Sequence, residues 1–199
     1  MFDNMDARIR YTKKVIAETF LELLRKKPIE KITVKEICDI AEINRATFYK
    51  YYDNPYDLLE KIEKETMDNL HEKIAACKER ILAKDEGILP EELLGEIFKI
   101  VLEDISSKKD LYTSLFSENG DDLFKEQLFS FCYKDNIKTI EERFPNLPKY
   151  RQDLLYYFVA EGCNGVLNQW LINDNGQSTD ELAHFLVTII TSINNMQMV

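Results

Sequence analysis

The stretch from Thr33 to Leu59, TVKEICDIAEINRATFYKYYDNPYDLL, leaves its backbone few choices. Thr33-x-x-Glu36 reads as a capping box, with the Thr hydroxyl serving the third backbone N–H and the Glu reaching back. Val34, Ile37, Cys38 and Ala41 then recur at helical spacing. Glu42-Ile43-Asn44 suffices only for a turn, and Asn44 is a good N-cap for a second helix beginning at Arg45. That helix buries Phe48 while Arg45, Thr47, Tyr49 and Lys50 point away. Asn54-Pro55 is another cap, with proline at the first helical position. Two short helices joined by so tight a turn make a helix-turn-helix.

The outward face of the second helix carries chemistry suited to a major groove. Arg and Lys pair with phosphates or guanine edges, Thr and Tyr hydroxyls bond either, and a Thr methyl meets a thymine methyl. The bland alternative is a small amphipathic hairpin with a solvated polar face. Charge distribution bears on the choice. The chain of 199 residues has net charge −10. From Arg8 to Lys50 eleven Lys/Arg face six Asp/Glu, giving +5, so the remainder carries −15. A basic segment on an acidic body favours contact with DNA through one face and argues against coating nucleic acid.

Ile32-Thr33-Val34-x-x-Ile37, Ala41-x-Ile43-Asn44-Arg45-Ala46-Thr47-Phe48-Tyr49, Tyr52 and Leu58-Leu59 together resemble the DNA-binding domain of TetR-type transcriptional regulators. The resemblance implies DNA contact by Arg10, Thr12, Thr33, Asn44, Arg45, Ala46, Thr47, Tyr49, Lys50 and Tyr51, with Arg10 to Thr12 near the backbone. Two positions depart from the family pattern. Glu42 stands where members often have Gly, which costs something if the turn requires φ > 0. Pro55 stands where many members carry a phosphate-contacting Lys.

Scarce Gly (6) and Pro (5), with few period-two β-branched runs, point to an all-α protein of about nine helices. The pattern predicts a helix over 8–27, another from Pro55 to about Ala83, and a polar break at Lys84–Gly87. A helix opens at Pro90, a connection covers Ser106–Lys109, and a short helix covers Leu111–Phe116. Further helices run from Asp121 towards Phe144, over Lys149–Ile172, and onward from a second capping box, Ser178-x-x-Glu181. Residues 1–54 read as the DNA-binding domain and 55–199 as a helical body for dimerisation and ligand binding. Arg8, Arg10, Lys13 and Lys14 crowd the expected start of the first helix, against its dipole. A nearby phosphate would relieve that conflict, as would simple solvation.

Gly162 and Gly165 inside a helix each cost about 1 kcal/mol against Ala, which suggests close packing against another helix. With the apolar last helix they suit a four-helix bundle formed by two copies, the interface drawing on Gly162, Val166, Trp170, Phe185, Ile189 and Ile193. Internal packing is the alternative. Leu115-x-Ser117-Glu118-Asn119-Gly120-Asp121, Tyr157-Phe158-x-x-Glu161-Gly162-x-x-Gly165-Val166-x-x-x-Trp170-Leu171, and Ser178 with Glu181-Leu182-Ala183 resemble one C-terminal class of the same regulators. Phe98, Tyr112, Phe116, Phe129, Tyr133 and Phe158 are either core or the wall of a pocket. The resemblance favours a pocket for a small apolar or aromatic effector.

No catalytic, nucleotide-binding or metal-binding motif occurs, so neither an enzyme nor a cofactor is expected. Cys38, Cys77, Cys132 and Cys163 lack C-x-x-C spacing and read as buried thiols of a reducing cytoplasm. No apolar run is long enough for a membrane span, and the N-terminus has no secretory h-region. The expectation is a homodimeric repressor acting on a near-palindromic double-stranded DNA site. The rival is a similarly folded dimer that binds a partner protein.

Overall fold

A computed structural model describes residues 2–83, 90–173 and 176–196, with side chains described outside 2–6, 82, 90 and 129–139. Its regular elements are α1 (Phe2–Leu24), a 3₁₀ turn (Ile29–Lys31), α2 (Val34–Ile40), α3 (Arg45–Tyr49) and α4 (Pro55–Leu82). They continue with α5 (Pro90–Ser107), α6 (Lys109–Leu115), α7 (Asp122–Arg143), α8 (Lys149–Ile172) and α9 (Thr179–Asn194). The all-α expectation holds.

Three boundaries differ from the sequence reading. Helix α1 begins at Phe2 rather than Arg8. Arg8 to Lys14 therefore fall beyond the first turn, which removes the conflict expected for them. Its last regular residue is Leu24, not Lys27. Pro28 disfavours α geometry in the residue before it, and Lys26 N–H closes a tighter turn on Leu23 O at 2.9 Å. Lys108 alone separates α5 from α6, where a connection over Ser106–Lys109 was expected. The break at Lys84–Gly87 lies outside the described residues.

The chain forms two compact units, residues 1–68 with 110–124, and residues 69–109 with 125–199. In the first, Ile16, Phe20 and Leu24 of α1, Ile37 of α2, Phe48 of α3 and Leu58 of α4 are fully buried. Burying each such side chain stabilises the fold by roughly 1.5–3 kcal/mol. Tyr112 is buried between Phe116 and Phe124, each with its ring centroid 6.5 Å away. Arg25 secures α6 from α1: Nε donates to Ser114 Oγ (2.7 Å) and Nη2 to Asp110 O (2.8 Å). Gly120 is required by close approach, because a Cβ there would lie 1.9 Å from Leu115 O.

In the second unit α5 packs along α9. Helix α5 contributes buried Ile97, Phe98, Val101, Leu102 and Ile105, and α9 contributes Leu182, Ala183, Leu186 and Ile190. The predicted box at the head of α9 is complete. Glu181 N–H donates to Ser178 Oγ (3.2 Å) and Ser178 N–H donates to Glu181 Oε2 (2.9 Å). These bonds hold the Glu181 carboxyl below its ordinary pKa, the backbone bond foremost. On α5 the carboxylate of Asp104 is wholly buried, with Lys73 Nζ at 2.5 Å from one oxygen and Lys108 Nζ at 3.0 Å from the other.

Candidate nucleic-acid interface

Thr33 caps α2 by accepting the Glu36 N–H at 3.2 Å. The other half of the expected box does not form. The Glu36 carboxylate is taken by Lys27 Nζ at 2.5 Å, a partner nine residues earlier. Helix α2 ends at Ala41, Glu42 adopts φ 53°, and Ile43 N–H returns to Cys38 O at 3.0 Å. This is a left-handed helix stop of the kind glycine usually supplies. The turn therefore does require φ > 0, and a glutamate meets the requirement.

Asn44 then starts α3, its Oδ1 accepting the Ala46 N–H at 2.9 Å. Phe48 is fully buried, 5.8 Å from the Tyr49 ring and 5.6 Å from the Tyr52 ring. Arg45, Ala46, Tyr49 and Lys50 are exposed, Tyr49 by 56%, while Thr47 and Tyr51 are half-buried. Among the other predicted contacts, Thr33, Asn44 and Arg10 are exposed. Thr12 is half-buried, with its hydroxyl donating to Arg8 O at 2.9 Å.

The corner after α3 is braced by the cap read at Asn54 and by Asp57 and Lys61, which sequence reasoning did not single out. Asn54 Oδ1 caps α4, accepting the N–H of Tyr56 (2.9 Å) and Asp57 (3.0 Å). Lys61 Nζ donates to Tyr51 O (3.0 Å) and to Asp57 Oδ2 (2.8 Å), and lies 5.5 Å from the centre of the Tyr52 ring. The bond from Lys61, then that from the Asp53 N–H, holds the Asp57 carboxyl below its usual pKa. Burial, helped by Glu65 and Asp57, pushes the Tyr52 hydroxyl up to about 12, so it stays neutral. Lys13 of α1 and Lys50 approach the Tyr51 ring to 5.5 and 5.6 Å. A contact 38 residues long in sequence leaves no local signal; the run of cations in α1 is the one hint.

The residues proposed for a ligand pocket fall in both units. Tyr112 and Phe116 are packed together in the first unit, and Phe98 is in the core of the second. Phe158 stands 69% exposed on α8. The side chains of Phe129 and Tyr133 lie outside the described residues. The proposed pairing residues are gathered. Gly162, Val166, Trp170 and Phe185 line an open groove of about 840 Å³ between α8 and α9. Ile189 is exposed and Ile193 half-buried further along α9. Among the described residues nothing lies within 4 Å of a Cβ placed on Gly162 or Gly165. Among the described residues no His, Cys, Asp and Glu side chains cluster as metal ligands.

A family model described as the transcriptional regulator C-terminal region of the TetR type matches residues 92–192. The chain is 30% identical over 159 residues to YvkB, an uncharacterized HTH-type transcriptional regulator of Bacillus subtilis, covering 80% of this chain and 72% of that one. It is 40% identical over 58 residues to DhaS, the dhaKLM operon transcriptional activator of Lactococcus lactis, covering 29% of this chain and 30% of that one. Among solved structures it resembles Thermus thermophilus FadR, a TetR-family repressor in complex with lauroyl-CoA. The TM-score is 0.55 at 20% identity, over 94% of this chain and 97% of that one, a likeness of fold. The match over residues 92–192, the relative aligned over 80% of the chain and the helix-turn-helix at the front agree: the chain belongs to the TetR family of DNA-binding transcriptional regulators.

Proposed function

We propose that this regulator is a cytoplasmic, non-enzymatic, homodimeric repressor. Residues 1–54 read the operator, and 55–199 pair the chains and receive a small apolar or aromatic effector. The observation that carries the reading is α3, which buries Phe48 and turns Arg45, Ala46, Tyr49 and Lys50 outward on a segment of positive charge. Such a helix suits a major groove. Thr47 lies on the same helix, Thr33, Asn44 and Tyr51 flank it, and Arg10 and Thr12 of α1 serve the phosphate backbone.

One module reads few bases, so specificity calls for a second head about 34–36 Å away, or a multiple of that, on a near-palindrome. The open glycines of α8 and the exposed Phe185 and Ile189 of α9 support pairing of two copies there. The lauroyl-CoA complex of a similarly folded repressor supports a small-molecule effector. Such a compound would act by binding the DNA-competent and incompetent arrangements unequally. DhaS is named as an activator, which makes activation the rival polarity.

Enrichment of genomic fragments on the purified protein, followed by transcript measurement in a deletion strain, tests this reading. Discrete near-palindromic sites, one beside its own gene, with raised transcription on deletion would support it. Lowered transcription would overturn the repressor polarity. No enrichment would overturn the DNA reading and favour a protein partner.

A further inference from the structure

Glu63, on α4, has a carboxylate oxygen shut off from water and without a hydrogen-bond partner. The charges that act on it are both negative: Asp121, in the connection between α6 and α7, and Glu60, one turn back on α4. The lysines nearest in sequence are committed elsewhere, Lys61 to Tyr51 O and Asp57, and Lys64 to Asp68. Asp121 is not free to swing clear, because its Oδ1 accepts the Leu123 N–H at 2.8 Å at the head of α7. The segment that carries it is fixed as well. Arg25 ties α6 to α1 through Ser114 and Asp110, and Gly120 sets its turn tightly against Leu115. All these groups belong to the unit that contains α3. Ionised, Glu63 places an uncompensated charge beside a held acid; protonated, it becomes a donor and the repulsion vanishes. Burial foremost, then Asp121 and Glu60, pushes its pKa from 4.5 up to about 7, so the two states exchange near neutral pH.

We propose that Glu63 and Asp121 form a proton-operated latch between α4 and the α6–α7 connection, closed when Glu63 is protonated, and that the closed latch holds α3 ready for DNA. The proposal rests on the DNA reading above. The path from the latch to α3 is short: Lys61, on the same helix as Glu63, donates to the Tyr51 carbonyl at 3.0 Å just past the end of α3. The proton is taken from solvent and returned to it. Closure is fully favoured below pH 4.5, where Glu63 is protonated in either arrangement, and that preference is lost as pH rises through about 7.

The test is the operator affinity of the full-length protein and its variants at constant salt, from about pH 5.5 to about pH 7.5. For a carboxyl titrating at about 7 when closed and about 4.5 when open, the closed-to-open ratio falls about 20-fold over that range. Affinity falls by at most the same factor. His71 and His184 remain in every protein, so the latch is read from the difference between profiles. Across the range Glu63→Gln, which is neutral throughout, should lose between about three- and 20-fold less affinity than the unaltered protein. Asp121→Asn keeps an acceptor for the Leu123 N–H and removes the opposing charge, so its loss should fall between the two. A difference below about threefold between Glu63→Gln and an unaltered protein that binds overturns the latch alone. An Asp121→Asn profile superimposed on the unaltered one overturns Asp121 as its other half. Failure of the unaltered protein to bind DNA at either end of the range removes the latch together with the reading it rests on.

Discussion

Glu42→Gly should stabilise the protein although it deletes a charged side chain. Glu42 holds φ 53° to end α2 and turn the chain into α3. An L residue in this left-handed region carries strain of roughly 1–2 kcal/mol from its Cβ. Glycine has no Cβ and releases the strain, but it also loosens the unfolded chain, which offsets roughly 0.4–1 kcal/mol. The balance is a gain of about 1 kcal/mol, which for a chain of this size raises Tm by about 2–4 °C. Glu42 is exposed, so little packing is lost with it. Glu42→Ala is the control, since it removes the carboxylate and keeps the strain. Thermal and urea unfolding of the three proteins, read at constant m, decide the matter. A Gly variant no more stable than the Ala variant would refute the strain account.

Phe48→Ala opens a cavity beneath α3 and should cost about 3–5 kcal/mol in urea unfolding; a loss below 1 kcal/mol would show that Phe48 is not a keystone of the head. Glu63 has a buried carboxylate oxygen without a hydrogen-bond partner, and burial foremost, then Asp121 and Glu60, pushes its pKa from 4.5 up to about 7. Its stabilising contribution is therefore full below pH 4.5 and is lost as pH rises through about 7. Glu63→Gln should flatten that part of the Tm profile and raise Tm at alkaline pH; parallel profiles would refute it. Among the described residues nothing lies within 4 Å of a Cβ at Gly165, so Gly165→Leu should leave helical content intact. In a dimer paired through α8 it should yield monomers on sedimentation, and an unchanged dimer would place the interface elsewhere.

What the sequence disclosed was local. Asn44, Asn54 and Ser178 cap their helices as read, because a cap needs only its own backbone and the next three residues. Thr33 and Glu36 show where locality fails: the carboxylate that should have closed the box is held by Lys27. The contact of Lys13 with Tyr51 was invisible for the same reason. Helix α8 presents another limit. It buries Val159, Cys163, Leu167 and Leu171, yet exposes Leu154, Tyr157 and Phe158. With apolar residues on both faces, periodicity could not tell core from surface, so Phe98 and Phe158 looked alike. The structure separates them, one fully buried and one 69% exposed.

Asp104 constrains the ancestry of this body as well as its shape. With Lys73 and Lys108 on its two oxygens, the carboxylate is tolerated in a place water does not reach. Leaving such a buried carboxylate uncompensated costs roughly 3–5 kcal/mol, while replacing the whole set by apolar residues is often neutral or better. The route from one solution to the other runs through intermediates that most domains of this size would not survive. Drift at these three positions is thus blocked one step at a time, although the destination is open. Descendants of this chain should keep the trio intact or exchange it as a set, leaving a covariation footprint unrelated to any ligand.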